Sequence, residues 1–167
     1  ISRATYIHGE DHEFIISSVG IDEGNTLKEK LNIAVHCIDF MKKLKKTPKI
    51  ATLSYARPGD YGRSEEINQS LDDAKKLTQL IEKHTNQKIE NSCVLIDQAI
   101  KNKCNILIAP NGIVGNTIFR TLVLLNSWPS FGAITFGIDD IYIDTSRDQS
   151  REGYLRSLEL AYKLAKL

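Results

Sequence analysis

Three polar loops hold the residues of this 167-residue chain best suited to chemistry. The first, Tyr55-Ala56-Arg57-Pro58-Gly59-Asp60-Tyr61-Gly62-Arg63, carries two arginines, Arg57 and Arg63. A planar guanidinium offers paired N–H donors, so either arginine suits a carboxylate or a phosphate. The second loop is Pro110-Asn111-Gly112-Ile113-Val114-Gly115-Asn116. Gly112 and Gly115 would permit tight turning and close approach of a ligand, and a helix starting just beyond would aim unpartnered N–H groups at an anion. No Gly-Lys-Ser/Thr follows, so this is not a P-loop, and the dinucleotide fingerprint is absent as well. In the third, Asp144-Thr145-Ser146-Arg147-Asp148-Gln149-Ser150, Arg147 could clamp an anionic oxygen while Ser146 and Ser150 donate hydroxyl hydrogen bonds. Each loop also has a plain structural reading. Arg57 and Arg63 could be solvated charges, the second loop an ordinary strand-to-helix connection, and Ser150 an N-cap beside an Arg147–Asp148 pair.

The flanking sequence predicts elements that would place these loops at strand ends. Lys49–Ser54 and Asn105–Ala109 read as strands, and Gly132–Gly137 as a third. Ser64 is a good N-cap for a helix that buries Ile67, Leu71, Ala74, Leu77 and Ile81. The second loop is expected to lead into a helix over Thr117–Asn126. Ser150–Leu167 reads as a last helix with Leu155, Leu158, Tyr162 and Ala165 on one side. Upstream, residues 4–16 read as a β-hairpin around Gly9-Glu10-Asp11. A capping box, Thr26 to Glu29, opens a helix striped by Leu27, Leu31, Ala34, Val35, Ile38 and Met41. Lys88–Glu90 reads as a short strand and Ser92–Asn102 as a short helix. Such alternation predicts an α/β sandwich with a largely parallel sheet.

Composition narrows the function classes. With 22 basic and 21 acidic residues the chain is nearly neutral, so no nucleic-acid surface is expected. Apolar runs fall short of the roughly 20 residues needed to cross a bilayer, and no membrane association is expected. Cys37, Cys93 and Cys104 lack a CxxC pair and read as reduced, buried thiols of a cytoplasmic protein. His8 and His12, near Glu10, Asp11 and Glu13, flank a turn rather than share a helix face, and no metal is expected there. Asp139, Asp140 and Asp144 make only a loose magnesium set. The sole methionine is Met41, so an amino-terminal portion of the natural protein is expected to be missing.

In their order and wording the three loops resemble the phosphate acetyl/butyryltransferase superfamily. Leu53-Ser54-Tyr55 before the first loop, Pro110-Asn111 through Gly115-Asn116 in the second, and Asp144-Thr145-Ser146-Arg147-Asp148-Gln149-Ser150 in the third match its motifs. The wording around Ile108–Asn116 looks closer to the MtxX branch of methanogenic archaea, known as a methyltransferase subunit and methanogenesis marker. The resemblance implies a three-layer α/β/α sandwich, phosphotransacetylase-like and akin to isocitrate/isopropylmalate dehydrogenases, with residues 1–167 mainly its second domain and the 4–16 hairpin leading into it. It implies a methyltransferase-associated transferase with an anion- or coenzyme-binding cleft. A phosphate acyltransferase acting on coenzyme A thioesters and a noncatalytic partner subunit are the alternatives. Arg147 and Ser146 would be catalytic and hold a phosphate. Asn111, Gly112, Gly115, Asn116, Asp144 and Ser150 would line the site, with Arg57 or Arg63 closing it. Phosphate or coenzyme A would be the ligand, other methyltransferase subunits and a second copy the partners. Two positions depart from the superfamily pattern: its aspartate after the proline is Asn111, and its catalytic aspartate, six residues past the arginine, is Gly153.

Overall fold

The computed structural model describes residues 1–167. A single seven-stranded sheet runs in the order β4-β3-β5-β2-β1-β6-β7. Its strands are β1 (Ser2–His8), β2 (Glu13–Ser17), β3 (Ile50–Leu53), β4 (Glu90–Cys93), β5 (Ile106–Ile108), β6 (Ser130–Phe136) and β7 (Ile143–Asp144). β4, β3, β5 and β2 pair in parallel, whereas β1, β6 and β7 join antiparallel. Five of the seven strands therefore point one way, which gives the mostly parallel α/β sheet that the alternating pattern predicts. The hairpin of β1 and β2 lies at the middle of the sheet, with β5 on one side and β6 on the other.

Helices α1 (Leu27–Lys43), α2 (Glu65–Thr85) and α5 (Arg151–Ala165) cover one face, and α3 (Ile96–Lys101) and α4 (Gly112–Phe119) the other. Ile33, Cys37, Phe40 and Met41 of α1, Leu77 and Ile81 of α2, and Leu160 and Leu164 of α5 meet in the larger core. The smaller core joins Ile7, Phe14, Ile16 and Leu107 to Ala99 and the partly buried Ile118 and Phe119. The expected caps are in place. Thr26 and Glu29 form a complete capping box, and Ser64 Oγ accepts from Ile67 N at 3.2 Å.

Several boundaries and faces differ from the sequence expectation. The helix placed at Thr117–Asn126 starts at Gly112, because Asn111 Oδ1 caps it by accepting from Val114 N at 3.0 Å. Its continuation, Arg120–Leu125, is π-helical. β4 occupies Glu90–Cys93 instead of Lys88–Glu90, pairing with β3 through Glu90, Asn91 and Cys93, so α3 is confined to Ile96–Lys101. On α1 the buried face is rotated toward Ile33, Cys37 and Phe40. On α5 the prediction is reversed. Gly153, Ser157, Leu160 and Leu164 face inward, while Leu155, Leu158 and Tyr162 are 49%, 66% and 62% exposed. Small residues let α5 sit close on β6, leaving its larger apolar side chains on the outside.

Candidate functional site

Sequence reasoning gathers the three loops into one cleft; the fold distributes them. Glycine decides how. Gly112 and Gly115 sit in the first turn of α4, where an added methyl group would coincide with the carbonyl oxygens of Gly20 and Ser18. The two glycines let the helix press onto the loop after β2, rather than admit a ligand. Gly112 N donates to Glu23 O at 3.0 Å and Asn116 Nδ2 to Val19 O at 3.2 Å. Two of the first three N–H groups of α4, those of Gly112 and Val114, are thus spent inside the protein, so this helix start has fewer donors for an anion than the sequence suggests.

On one side of that contact, beside α4 and over β1, β6 and β7, lies a cleft of about 220 Å³. Asn116, Asp144 and Ser146 line it, together with Arg3, Arg120 and Gln149. Its two cations are unequal. Arg3 is neutralised by Glu23 at 2.8 Å and Asp22 at 3.4 Å. The hydrogen bond to Glu23 holds its pKa above the ordinary arginine value against the opposing pull of burial, with Asp22 and Asp144 adding to it. Arg120 makes none of the chain's salt bridges and stands exposed at the rim. Ser146 Oγ accepts from Asp148 N at 3.4 Å, which leaves its hydroxyl hydrogen for a ligand. An anion entering this cleft would meet Arg120 as counter-charge and Ser146 as a neutral donor.

The remaining expected residues fall elsewhere. Arg147 is exposed and lines neither this cleft nor the crevice described below. Ser150 is the N-cap of α5, its Oγ accepting from Gly153 N at 3.1 Å, and it lines neither the cleft nor that crevice, while Arg147 forms no ion pair with Asp148. Arg63 pairs with Asp60 at 3.1 Å, and Arg57 is an exposed residue of the same loop. Neither closes a cleft. Asn111 lines a separate crevice with Lys30 and Tyr55, and its Nδ2 donates to Tyr55 Oη at 2.6 Å. At Gly153 an added side chain would run into the Gln149 side chain, so an uncharged amide occupies the space at that position.

The loop motifs do not point to Arg120, because the sequence pattern alone starts the helix at Thr117 rather than Gly112. With the helix begun at Gly112, Asn116 and Arg120 fall four residues apart on one face, which points Arg120 to the same cleft. Arg3 and Lys30 carry no comparable local signal.

No family model matches the chain. Curated relatives do. A Methanosarcina mazei protein described as "Putative methyltransferase mtx subunit X" is 37% identical over 135 residues, covering 80% of this chain and 47% of its own. The chain is a relative of the mtx subunit X proteins. An uncharacterized methyltransferase of Methanopyrus kandleri is 30% identical over 167 residues, 98% of this chain and 65% of that protein. The chain thus spans about half the length of the Methanosarcina mtx subunit X proteins it matches. Among solved structures, a branched-chain phosphotransacylase from Enterococcus faecalis V583 superposes with a TM-score of 0.75 at 21% identity, covering 98% of this chain and 64% of that one. EutD phosphotransacetylase from Staphylococcus aureus gives 0.72 at 18% identity, with coverage of 99% and 54%. The fold is therefore that of the phosphotransacetylases.

Proposed function

We propose that the chain supplies the ligand-binding wall of a methyltransferase-associated transferase in a methanogenic archaeon, and that the cleft beside α4 holds an anionic group, the phosphate of a coenzyme or an acyl phosphate. The observation that carries this reading is Arg120: an arginine without a carboxylate partner shares one cleft with Ser146, Asn116 and Asp144. An unpaired guanidinium is the group best suited to take a phosphate or carboxylate bidentately. Within this reading, Arg120 supplies the counter-charge, Ser146 donates its hydroxyl hydrogen, and Asn116 offers its second amide hydrogen. A phosphate acyltransferase acting on coenzyme A thioesters is the narrower form of the same proposal.

A second reading is favoured by Gly153 with Gln149 packed over it: a binding subunit without its own carboxylate base at that position, acting beside other methyltransferase subunits. The exposed apolar face of α5, Tyr154, Leu155, Leu158 and Tyr162, would then receive another subunit or a second copy of the chain. Both readings place the protein in the cytoplasm; no helix is long and apolar enough to cross a membrane.

The deciding experiment is a thermal-shift and calorimetric series on the full-length protein with inorganic phosphate, acetyl phosphate, coenzyme A and S-adenosylmethionine. We expect phosphate or coenzyme A to raise Tm, because a ligand at 100 times its Kd adds about 2.7 kcal/mol to stability. The shift should vanish in Arg120→Ala and survive in Arg147→Ala. Loss in Arg147→Ala alone would move the anion site out of this cleft. Acyl transfer from acetyl phosphate, assayed on the same variants, separates the enzyme from the binding subunit.

A further inference from the structure

β3 and β5 are parallel neighbours, yet the chain leaves their carboxyl ends in opposite directions. After β3 it crosses to α2, which packs with α1 on one face; after β5 it enters α4 on the other. Divergence of this kind opens a crevice at the strand ends, the position where open α/β sheets most often bind ligands. Here the crevice encloses about 290 Å³, room for a small metabolite. It is separate from the cleft that holds Arg120, because the first turn of α4 and the loop packed on it stand between the two.

The lining is polar and divided by charge. Lys30 is 6% exposed, and its Nζ donates to Pro110 O at 3.0 Å. An ammonium carries three donors, and Lys30 makes no salt bridge, so two N–H groups remain for a ligand. Tyr55 Oη accepts from Asn111, leaving its hydrogen free, and Ser70 Oγ accepts from Tyr55 N at 3.0 Å, leaving its hydrogen free too. Beside these donors, and on the same helix as Ser70, α2 contributes two carboxylates. Asp73 is half-buried with one oxygen taken by Gln69 at 2.8 Å, and Glu66 makes no salt bridge. Burial lowers the pKa of Lys30 while Asp73 pulls it back, the state of a buried cation only partly compensated. A simple anion in this crevice would face Asp73 and Glu66. A simple cation would face Lys30. A ligand bearing both charges satisfies both signs of charge in the lining.

We propose that the crevice between β3 and β5 binds a free α-amino acid, its carboxylate on Lys30 and the hydroxyls of Tyr55 and Ser70, its ammonium on Asp73 and Glu66. The site requires nothing from the anion cleft, so it stands or falls apart from the function proposed above.

Ligand-observed NMR on the full-length protein, with free L-amino acids carrying small, hydroxyl, amide and acidic side chains at millimolar concentration, tests this directly. Propionate and ethylammonium, the two halves of alanine, serve as single-charge probes. At least one amino acid should bind, and neither half should displace it. Lys30→Met and Asp73→Asn should each weaken binding about tenfold or more, as loss of a hydrogen bond to a charged group requires. Arg120→Ala should leave binding unchanged. If Lys30→Met fails to fold, Asp73→Asn and Tyr55→Phe carry the test, since both keep the shape of the side chain they replace. Three results overturn the proposal: no amino acid binds, propionate binds as well as the best amino acid, or Asp73→Asn binds with undiminished affinity.

Discussion

The cleft beside α4 and the crevice between β3 and β5 lie on either side of one helix start, yet they treat positive charge in opposite ways. In the cleft Arg120 is exposed and Arg3 is already matched by Glu23 and Asp22. In the crevice Lys30 is withdrawn from water with a single carbonyl for company. The exposed arginine costs the fold little and can wait for a ligand in solvent. The buried lysine costs stability whenever the crevice is empty, because desolvation disfavours the ammonium form. Two sites that flank one helix start can therefore differ in whether binding adds a contact or relieves a strain already present.

The largest effect should come from removing what separates them. Gly115→Ala would set a methyl group on Ser18 O and force α4 off the loop after β2, disturbing both sites at once. Overpacking against backbone that cannot turn aside is expected to cost about 3 kcal/mol or more, read as a lower urea midpoint. A midpoint equal to that of the wild type would mean that the helix and loop are not held in this contact.

Next is the pH response of Lys30. Its pKa in the folded protein is lowered, first by burial, with Asp73 opposing. Between that lowered value and the ordinary 10.5 the unfolded chain binds more protons than the folded one, so stability rises with pH across that window. Each pH unit of depression is worth about 1.4 kcal/mol. Lys30→Met should flatten this rise, whereas Arg120→Ala should leave it intact. A rise of equal steepness in Lys30→Met would assign it to another group and weaken the contrast between the two sites.

Ser150→Ala tests a smaller point: whether a residue read as a ligand donor is a cap. Losing the bond from Gly153 N should cost about 1 kcal/mol of stability and leave anion binding unchanged. A loss of phosphate affinity without loss of stability would return Ser150 to the site.

Much of the framework is legible in the sequence, because capping and periodicity are local. Thr26 with Glu29, and Ser64 three residues before Ile67, satisfy N–H groups within one turn, and the hairpin of residues 4–16 needs only neighbouring residues to declare itself. The α5 face shows the limit of local signals: spacing shows that Leu155, Leu158 and Tyr162 share a side, but not whether that side meets the sheet. Gly153 and Ser157, small enough for close packing, take the inner face instead. The candidate sites were less legible still. Motif order places three loops at strand ends, yet the assembly of Asn116 with Arg120 and Ser146, and of Asn111 with Lys30, depends on which face each helix takes after its strand. That choice is made by long-range packing. Gly112 and Gly115 show the ambiguity at its sharpest, since a glycine that admits a ligand and a glycine that admits a neighbouring carbonyl are the same letter.

The smallest expected effect is also the most informative about the superfamily resemblance. Arg147 follows Ser146 in the motif Asp144–Ser150 and is the residue that the motif alone nominates, but its guanidinium is exposed and unpaired outside the cleft that Ser146 lines. Arg147→Ala should change stability by no more than about 0.5 kcal/mol, as for surface substitutions away from caps and cores. Its effect on phosphate binding should fall well below that of Arg120→Ala. Placing the two variants side by side in one calorimetric titration separates a role set by motif from a role set by position in the fold. Equal losses would mean that the loop after β7 closes on the ligand and brings Arg147 to the anion beside Arg120. Loss in Arg120→Ala alone would mean that the cation of this cleft has passed from the motif to the π-helical turn that follows α4.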